Sequence, residues 1–133
     1  MRKQALTILL LFNSLLIYAE KDLPDYGKID KADLQLKECE FDKDAEAYNL
    51  ISYGDVHYTI AGEDFNIVTE RRSRIKILKD KGLDEANIKI RFYSNSNFEN
   101  INNISGLTYN LDNSGNIIIT KLEKSSIYIK RID

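Results

Sequence analysis

The chain alternates apolar and polar residues over several short stretches, a pattern typical of β-strands. Its two longest alternating stretches span residues 48–60 and 65–78 and flank the sequence Ala-Gly-Glu-Asp at 61–64, which predicts a turn. The first stretch has Gly54 and Asp55 in its middle, which predicts one bent strand or two short strands. Helical periodicity over more than two turns is absent after the apolar N-terminus, so strands dominate the prediction.

The second half of the chain predicts four shorter strands. They span residues 87–93, 104–111, 117–122 and 127–132. In the first of them Ile88, Ile90 and Phe92 are predicted to face inward. The Asp-Asn-Ser-Gly-Asn sequence between the second and third has the turn residues of a hairpin. We therefore predict an all-β fold, with an antiparallel β-sandwich-like domain or partial barrel over residues 45–133.

The strand at 65–78 breaks its own alternation. Phe65, Ile67 and Ile75 share one face with Arg71. Burying that guanidinium without a partner would cost several kcal/mol. We therefore favour a bulge between Val68 and Ile75, or a strand whose middle extends beyond its partner sheet.

The N-terminus predicts an export signal. A basic Met-Arg-Lys start precedes an apolar run at 5–18, and Ala19 is a small residue suited to peptidase cleavage. Two polar residues interrupt the run, which is shorter than the roughly 20 apolar residues of a spanning helix. We predict removal of 1–19, no stable membrane span afterwards, and a periplasmic, extracellular or cell-surface location. A polar arm follows at 20–44, with one helical turn capped by Asp30.

Charge and cysteine content exclude some classes of protein. The 133 residues hold 19 Lys and Arg against 21 Asp and Glu, and loss of the leader removes two of the basic residues. A binder of nucleic acid normally has a basic excess, so this acidic balance argues against one. Cys39 is the single cysteine and cannot form an internal disulfide. A buried, unreactive thiol is favoured over a surface thiol or an intermolecular bridge.

Neither catalysis nor metal binding is predicted. Cys39 and His57 are the one thiol and the one imidazole, and no local motif supplies a third orienting group or an oxyanion hole. A calcium loop beginning at Asn110 would place Lys121 where a bidentate Glu is needed. We therefore predict a plain hairpin there, and no catalytic residue, cofactor or metal in the chain.

Basic residues and tyrosines supply the weak candidates for ligand binding. Arg72, Arg74 and Lys76 share one strand face and could bind an anion, although a solvated face paired with acidic neighbours is favoured. Tyr109 belongs to a set of tyrosines that could form a carbohydrate or peptide platform or pack in the core. The other members of that set are Tyr48, Tyr53, Tyr58 and Tyr93.

Several blocks follow one another in a recognisable order along the chain: residues 25–29, 42–47, 53–56, 70–72, 74–78, Gly82-Leu83, Ala86, Ile104, Gly106, Thr108-Tyr109, Lys121-Leu122 and Lys124. Together they resemble the N-terminal domain of unknown function in bacterial secreted transglutaminase-like proteins. The resemblance covers the chain from about Tyr26 to its end. It rests on the order and spacing of the blocks together, since no single block is diagnostic.

The resemblance implies an exported, sandwich-like module normally followed by a papain-like transglutaminase-type domain that holds the catalytic Cys, His and Asp. Cys39 does not match that catalytic cysteine. The family domain normally continues past Asp133, so the resemblance also implies a truncated copy.

From this we expect a non-catalytic accessory or binding module of an exported transglutaminase-like protein. Its partner is expected to be a protein, a peptide, or the missing C-terminal domain. The alternatives are a stand-alone exported ligand-binding β-domain and a gene fragment without independent function.

Overall fold

The structure is a computed structural model that describes residues 23–132, so the predicted leader at 1–19 lies outside the described residues. Its elements are helix α1 (Lys31–Gln35), strands β1 (Ala47–Ala61), β2 (Asp64–Ile77), β3 (Leu107–Leu111) and β4 (Ile117–Lys121), and 3-10 turns at Asp80–Ala86, Asn95–Asn97 and Lys124–Ser126. None of the helices in this part of the chain has the length and apolar character needed to cross a membrane.

The first half of the fold is a long antiparallel hairpin of β1 and β2. Its strands pair continuously from Ala47 opposite Ile77 to Ala61 opposite Asp64. Gly62 begins the two-residue turn with φ +69°, a left-handed conformation that glycine adopts without strain. The predicted turn at 61–64 is confirmed, and the preceding stretch forms one strand.

The hairpin contains a bulge, but not on the strand where we predicted it. The register shifts at Leu50 of β1, between the pairs Asn49–Ile75 and Ile51–Arg74, whereas β2 runs without an extra residue. Arg71 pairs with Gly54 and is exposed. Within residues 23–132 no second sheet joins this hairpin, so the exposed Arg71 can break the alternation without being buried.

A short hairpin of β3 and β4 forms the second sheet. Leu107 lies opposite Lys121, and Leu111 lies opposite Ile117. The hairpin predicted around the Asp-Asn-Ser-Gly-Asn turn is therefore confirmed. Leu122 N–H also donates to the carbonyl oxygen of Gly106 at 2.9 Å, which extends the pairing by one step.

Two predicted strands, at 87–93 and 127–132, are wrong. Neither stretch pairs with another strand. Ile88 and Ile90, predicted to face inward, are 59% and 46% exposed, and Ile129 is 82% exposed. These stretches alternate like strands, but a strand also needs a neighbouring strand to bond with. Neither stretch adds a third strand to either hairpin.

Most of the regular structure is strand, which confirms the all-β class. The strands form two separate two-stranded sheets, and neither sheet closes into a barrel. Within residues 23–132 two residues are buried, which are Cys39, with 2% of its surface exposed, and Gly82. The predicted burial of the thiol is confirmed. Gly82 lies in the turn after β2, directly against the backbone of Glu46.

The arm wraps against both hairpins. Asp30 caps α1 as predicted, accepting a 2.9 Å hydrogen bond from Ala32 N–H. After the helix the chain leads into β1, where Phe41 makes an edge-on ring contact with Tyr48 at a centroid distance of 5.5 Å. Because the arm contacts β2 and β3 as well, it connects two sheets that share no strand pairing.

Candidate functional site

The basic face of β2 is directed at the arm. Arg72, Arg74 and Lys76 alternate along the strand and are half-buried. Arg74 donates through one guanidinium nitrogen to Asp33 Oδ2 at 3.0 Å and through the other to the carbonyl oxygen of Lys28. The side chains of Arg74 and Asp33 are 18% and 30% exposed, so water screens this ion pair less than a surface pair.

Two more predicted ligand residues also bind the arm. Lys76 Nζ donates to the carbonyl oxygen of Leu34 at 2.6 Å. The Tyr109 hydroxyl on β3 donates to the carbonyl oxygen of Gly27 at 2.9 Å. We call Arg74, Lys76 and Tyr109, with the arm groups that they bind, the arm clasp. The donors of Arg74 and Lys76, which sequence reasoning considered for an external anion, bind a carboxylate and carbonyl groups of the same chain.

Arg72 differs from its neighbours on this face. It lies opposite Tyr53 and makes no hydrogen bond with any residue that the structure describes. Beside the clasp, an open groove of about 640 Å³ runs between the arm segment 34–37 and the end of β2, with Leu111 at its side. Arg72 does not line this groove.

The five tyrosines do not form one platform. Tyr53 lies opposite Arg72 and Tyr58 lies opposite Ile67, which places them on opposite faces of the long hairpin. Tyr93 packs edge-on against Phe98 in the loop before β3, with ring centroids 6.1 Å apart. Of the set, Tyr109 has the clearest structural role, which is to hold the arm.

The outer half of the long hairpin has an apolar face that sequence reasoning missed. Val56, Tyr58 and Ile60 on β1 are joined by Phe65 and Ile67 on β2, through the pairs Ile60–Phe65 and Tyr58–Ile67. All five are between 64% and 75% exposed. We call these five residues the hairpin face. The signal for it was present: the same period of two continues on both sides of a two-residue turn, which puts both apolar sets on one side.

The single thiol and imidazole occupy different settings. His57 Nδ1 is 2.8 Å from Asp55 Oδ2, two residues earlier on β1. Cys39 is a free, buried thiol in the arm. Asp55 orients the His57 ring, and no hydrogen bond joins His57 to Cys39 among residues 23–132.

The turn between β3 and β4 is held by Asp112. Its Oδ1 accepts backbone N–H groups of Ser114 and Asn116 at 2.8 Å each, and its Oδ2 accepts from the Asn116 side chain at 3.0 Å. These bonds, above all the one from the Asn116 side chain, hold the pKa of Asp112 below its usual value. The carboxylate thus acts as a turn acceptor, and no cluster of three metal-ligand side chains occurs in residues 23–132.

Replacing Asp112 by asparagine is expected to flatten the acid dependence of stability. A lowered folded pKa gives stability that is fully present above the unfolded Asp value of about 3.9 and is lost as pH falls through the folded value. The thermal midpoint of the wild type should therefore fall more steeply below that pH than the midpoint of Asp112→Asn. Equal slopes for Asp112→Asn and the wild type would contradict this role.

Over residues 23–132 the fold and these surfaces define an all-β arrangement of two antiparallel hairpins joined by an arm, with an exposed apolar face on the long hairpin. No family model, curated protein or solved structure matches this chain.

Proposed function

We propose that this chain is a non-catalytic binding module of an exported transglutaminase-like protein, and that its hairpin face binds a polypeptide. The observation that carries the proposal is the continuous apolar surface of Val56, Tyr58, Ile60, Phe65 and Ile67. A soluble chain seldom exposes apolar residues in one uninterrupted patch unless a partner covers them. Strands laid across this face would complete a β-sandwich-like domain.

The opposite face of the same hairpin is polar, so an apolar partner would bind one side of the hairpin. Asp55, His57 and Thr59 lie on that side of β1, opposite Glu70, Val68 and Asn66 of β2. Five of these six side chains are polar, so water can solvate this side while a partner covers the other. The hairpin is therefore amphipathic in the manner of one half of a sandwich.

Ligand binding on the basic face, the alternative from the sequence, has less support. Arg74 and Lys76 are engaged by Asp33 and the arm carbonyl groups, and a free anion would have to displace those contacts. The hairpin face has no such competitor within residues 23–132.

The proposal is tested on an array of overlapping peptides that covers complete secreted transglutaminase-like proteins. The wild-type chain should bind a subset of alternating apolar peptides saturably, and Ile67→Glu should lose that binding because a carboxylate enters the apolar contact. Asn66→Glu is the matched control, since Asn66 is the exposed neighbour on the opposite face and its variant should bind normally.

Two results would contradict the proposal. One is the absence of saturable peptide binding by the wild type. The other is acyl transfer or hydrolysis by the purified chain that Cys39→Ala abolishes, because a non-catalytic module has no such activity.

A further inference from the structure

We infer that the hairpin face also pairs with a second copy of this chain, in a two-fold symmetric dimer whose two hairpins pack face to face and run in opposite directions. This inference rests on the proposed function, because it takes the hairpin face to be a polypeptide-binding surface and names one occupant. Its support comes from the size of the face, the charges at its two ends and the polarity of the opposite side.

The hairpin face is large enough for a specific dimer. Five residues that are 64% to 75% exposed present roughly 600 to 700 Å² of surface, so two copies would bury at most about 1,300 Å² in total, which reaches the range of specific interfaces. The pairs Ile60–Phe65 and Tyr58–Ile67 form an aromatic and aliphatic centre of the kind that dominates interface energies.

The charges at the two ends of the face are complementary under a two-fold axis. Glu63 stands exposed in the turn at the hairpin tip, and Arg71 lies at the inner end, exposed and on the same face as Phe65 and Ile67. A two-fold interface brings residue i against j and j against i. With the axis near Ile67, Glu63 at the tip of each copy meets Arg71 of the other.

The inner end of the face also leaves space for the partner's tip. Gly54 is the residue opposite Arg71, so β1 has no side chain there. The span from Asp64 to Arg71 is seven residues of β-strand, about 23 Å. When the second hairpin runs in the opposite direction, its turn lies over Gly54 of the first hairpin. By the two-fold symmetry, the turn of the first hairpin lies over Gly54 of the second.

The polar opposite side favours a closed pair over a growing fibre. Asp55, Glu70 and Asn66 lie on that side and do not repeat the apolar surface. One self-complementary patch per chain closes after two copies, whereas two different complementary patches would propagate.

The test is sedimentation equilibrium of the full chain, produced in an exporting host, over a range of protein concentrations. The wild type should show a monomer–dimer equilibrium. Ile67→Glu should weaken dimerisation at least about a hundredfold, since two carboxylates would enter the apolar centre. Asn66→Glu, on the polar side, should dimerise like the wild type.

Charge exchange tests the antiparallel arrangement itself. Arg71→Glu should weaken dimerisation about tenfold, because Glu63 of each copy then meets a carboxylate of the other. Adding Glu63→Lys to that variant should restore the wild-type dimer, since the exchanged charges attract again. A fold defect would not be rescued by changes at the other end of the hairpin.

A wild type that is monomeric at every concentration would overturn the dimer, as would a failure of the charge exchange to restore it. The proposed function is separable from it. Arg71→Glu keeps all five apolar residues and should still bind the peptide array. Peptide binding by a monomeric chain overturns the dimer alone, while a monomer that binds no peptide overturns both.

Discussion

Replacing Gly82 by alanine will destabilise the fold by about 3 kcal/mol, a large part of the stability of a small domain. A Cβ atom at Gly82 would overlap the carbonyl oxygen of Glu46 and lie 2.7 Å from its carbonyl carbon. That carbonyl group is fixed, because it accepts the backbone N–H groups of Leu78 at 2.9 Å and Lys79 at 3.1 Å. Accommodating the methyl group means breaking the connection between the end of β2 and the start of β1. Urea unfolding followed by circular dichroism measures the loss.

Gly54→Ala is the matched control for this prediction. The nearest atom to a Cβ at Gly54 is the carbonyl oxygen of Glu70, at 3.9 Å, which is an ordinary contact distance. Alanine also restricts the unfolded chain more than glycine does, so this variant should be neutral or slightly stabilising. If Gly82→Ala unfolds at the same urea concentration as the wild type, the close packing of this turn on β1 is not part of the solution structure.

Replacing Arg74 by alanine will release the arm and cost about 2 kcal/mol of stability. The substitution removes the donors to Asp33 and to the carbonyl oxygen of Lys28, and it leaves a partly buried carboxylate without its counter-ion. Backbone N–H groups around α1 should then exchange with deuterium much faster, because local opening of the arm no longer breaks a charged contact. Exchange mass spectrometry resolves the arm from the hairpins.

Arg72→Ala is the control for the arm clasp. It removes the same charge from the same strand face, at a residue that makes no hydrogen bond with the described part of the chain, and should leave exchange in the arm unchanged. If exchange in the arm becomes faster by the same amount in both variants, the loss of positive charge controls arm opening and the Arg74 contacts do not.

The two hairpins could be predicted from the sequence because each depends on neighbours in the chain. The turn after Ala61 has Gly62 where a positive φ is needed, and the turn at Asp112 supplies its own acceptor oxygen. Alternation on each side then fixes the register. The turn residues and the alternation beside them are neighbours in the sequence, so both hairpins can be predicted from the sequence alone.

The unpaired stretches show where the pattern is insufficient. Residues 87–93 alternate as cleanly as any strand in the chain, yet alternation states which side chains share a face and not whether a neighbouring strand exists. The bulge at Leu50 was missed for a related reason. The residue that breaks the alternation, Arg71, lies on β2, whereas the bulge lies on β1. Arg71 breaks the alternation because its side chain is exposed.

The candidate site was predicted in part. Sequence reasoning placed Arg72, Arg74 and Lys76 on one face, and the strand confirms their alternation. It did not predict that the arm binds Arg74 and Lys76, because the arm groups are carbonyl oxygens and one carboxylate lying more than forty residues earlier. A backbone carbonyl is present at every residue, so no pattern of side chains marks the ones that will be used.

The buried Cys39 gives the chain a built-in reporter. It is the single cysteine, and it lies in the arm with 2% of its surface exposed. A thiol-specific reagent can modify it only when the arm opens or the whole chain unfolds. At low reagent concentration, the modification rate equals the opening equilibrium constant multiplied by the intrinsic thiol rate. One colorimetric time course therefore measures the free energy of arm opening without any engineered label.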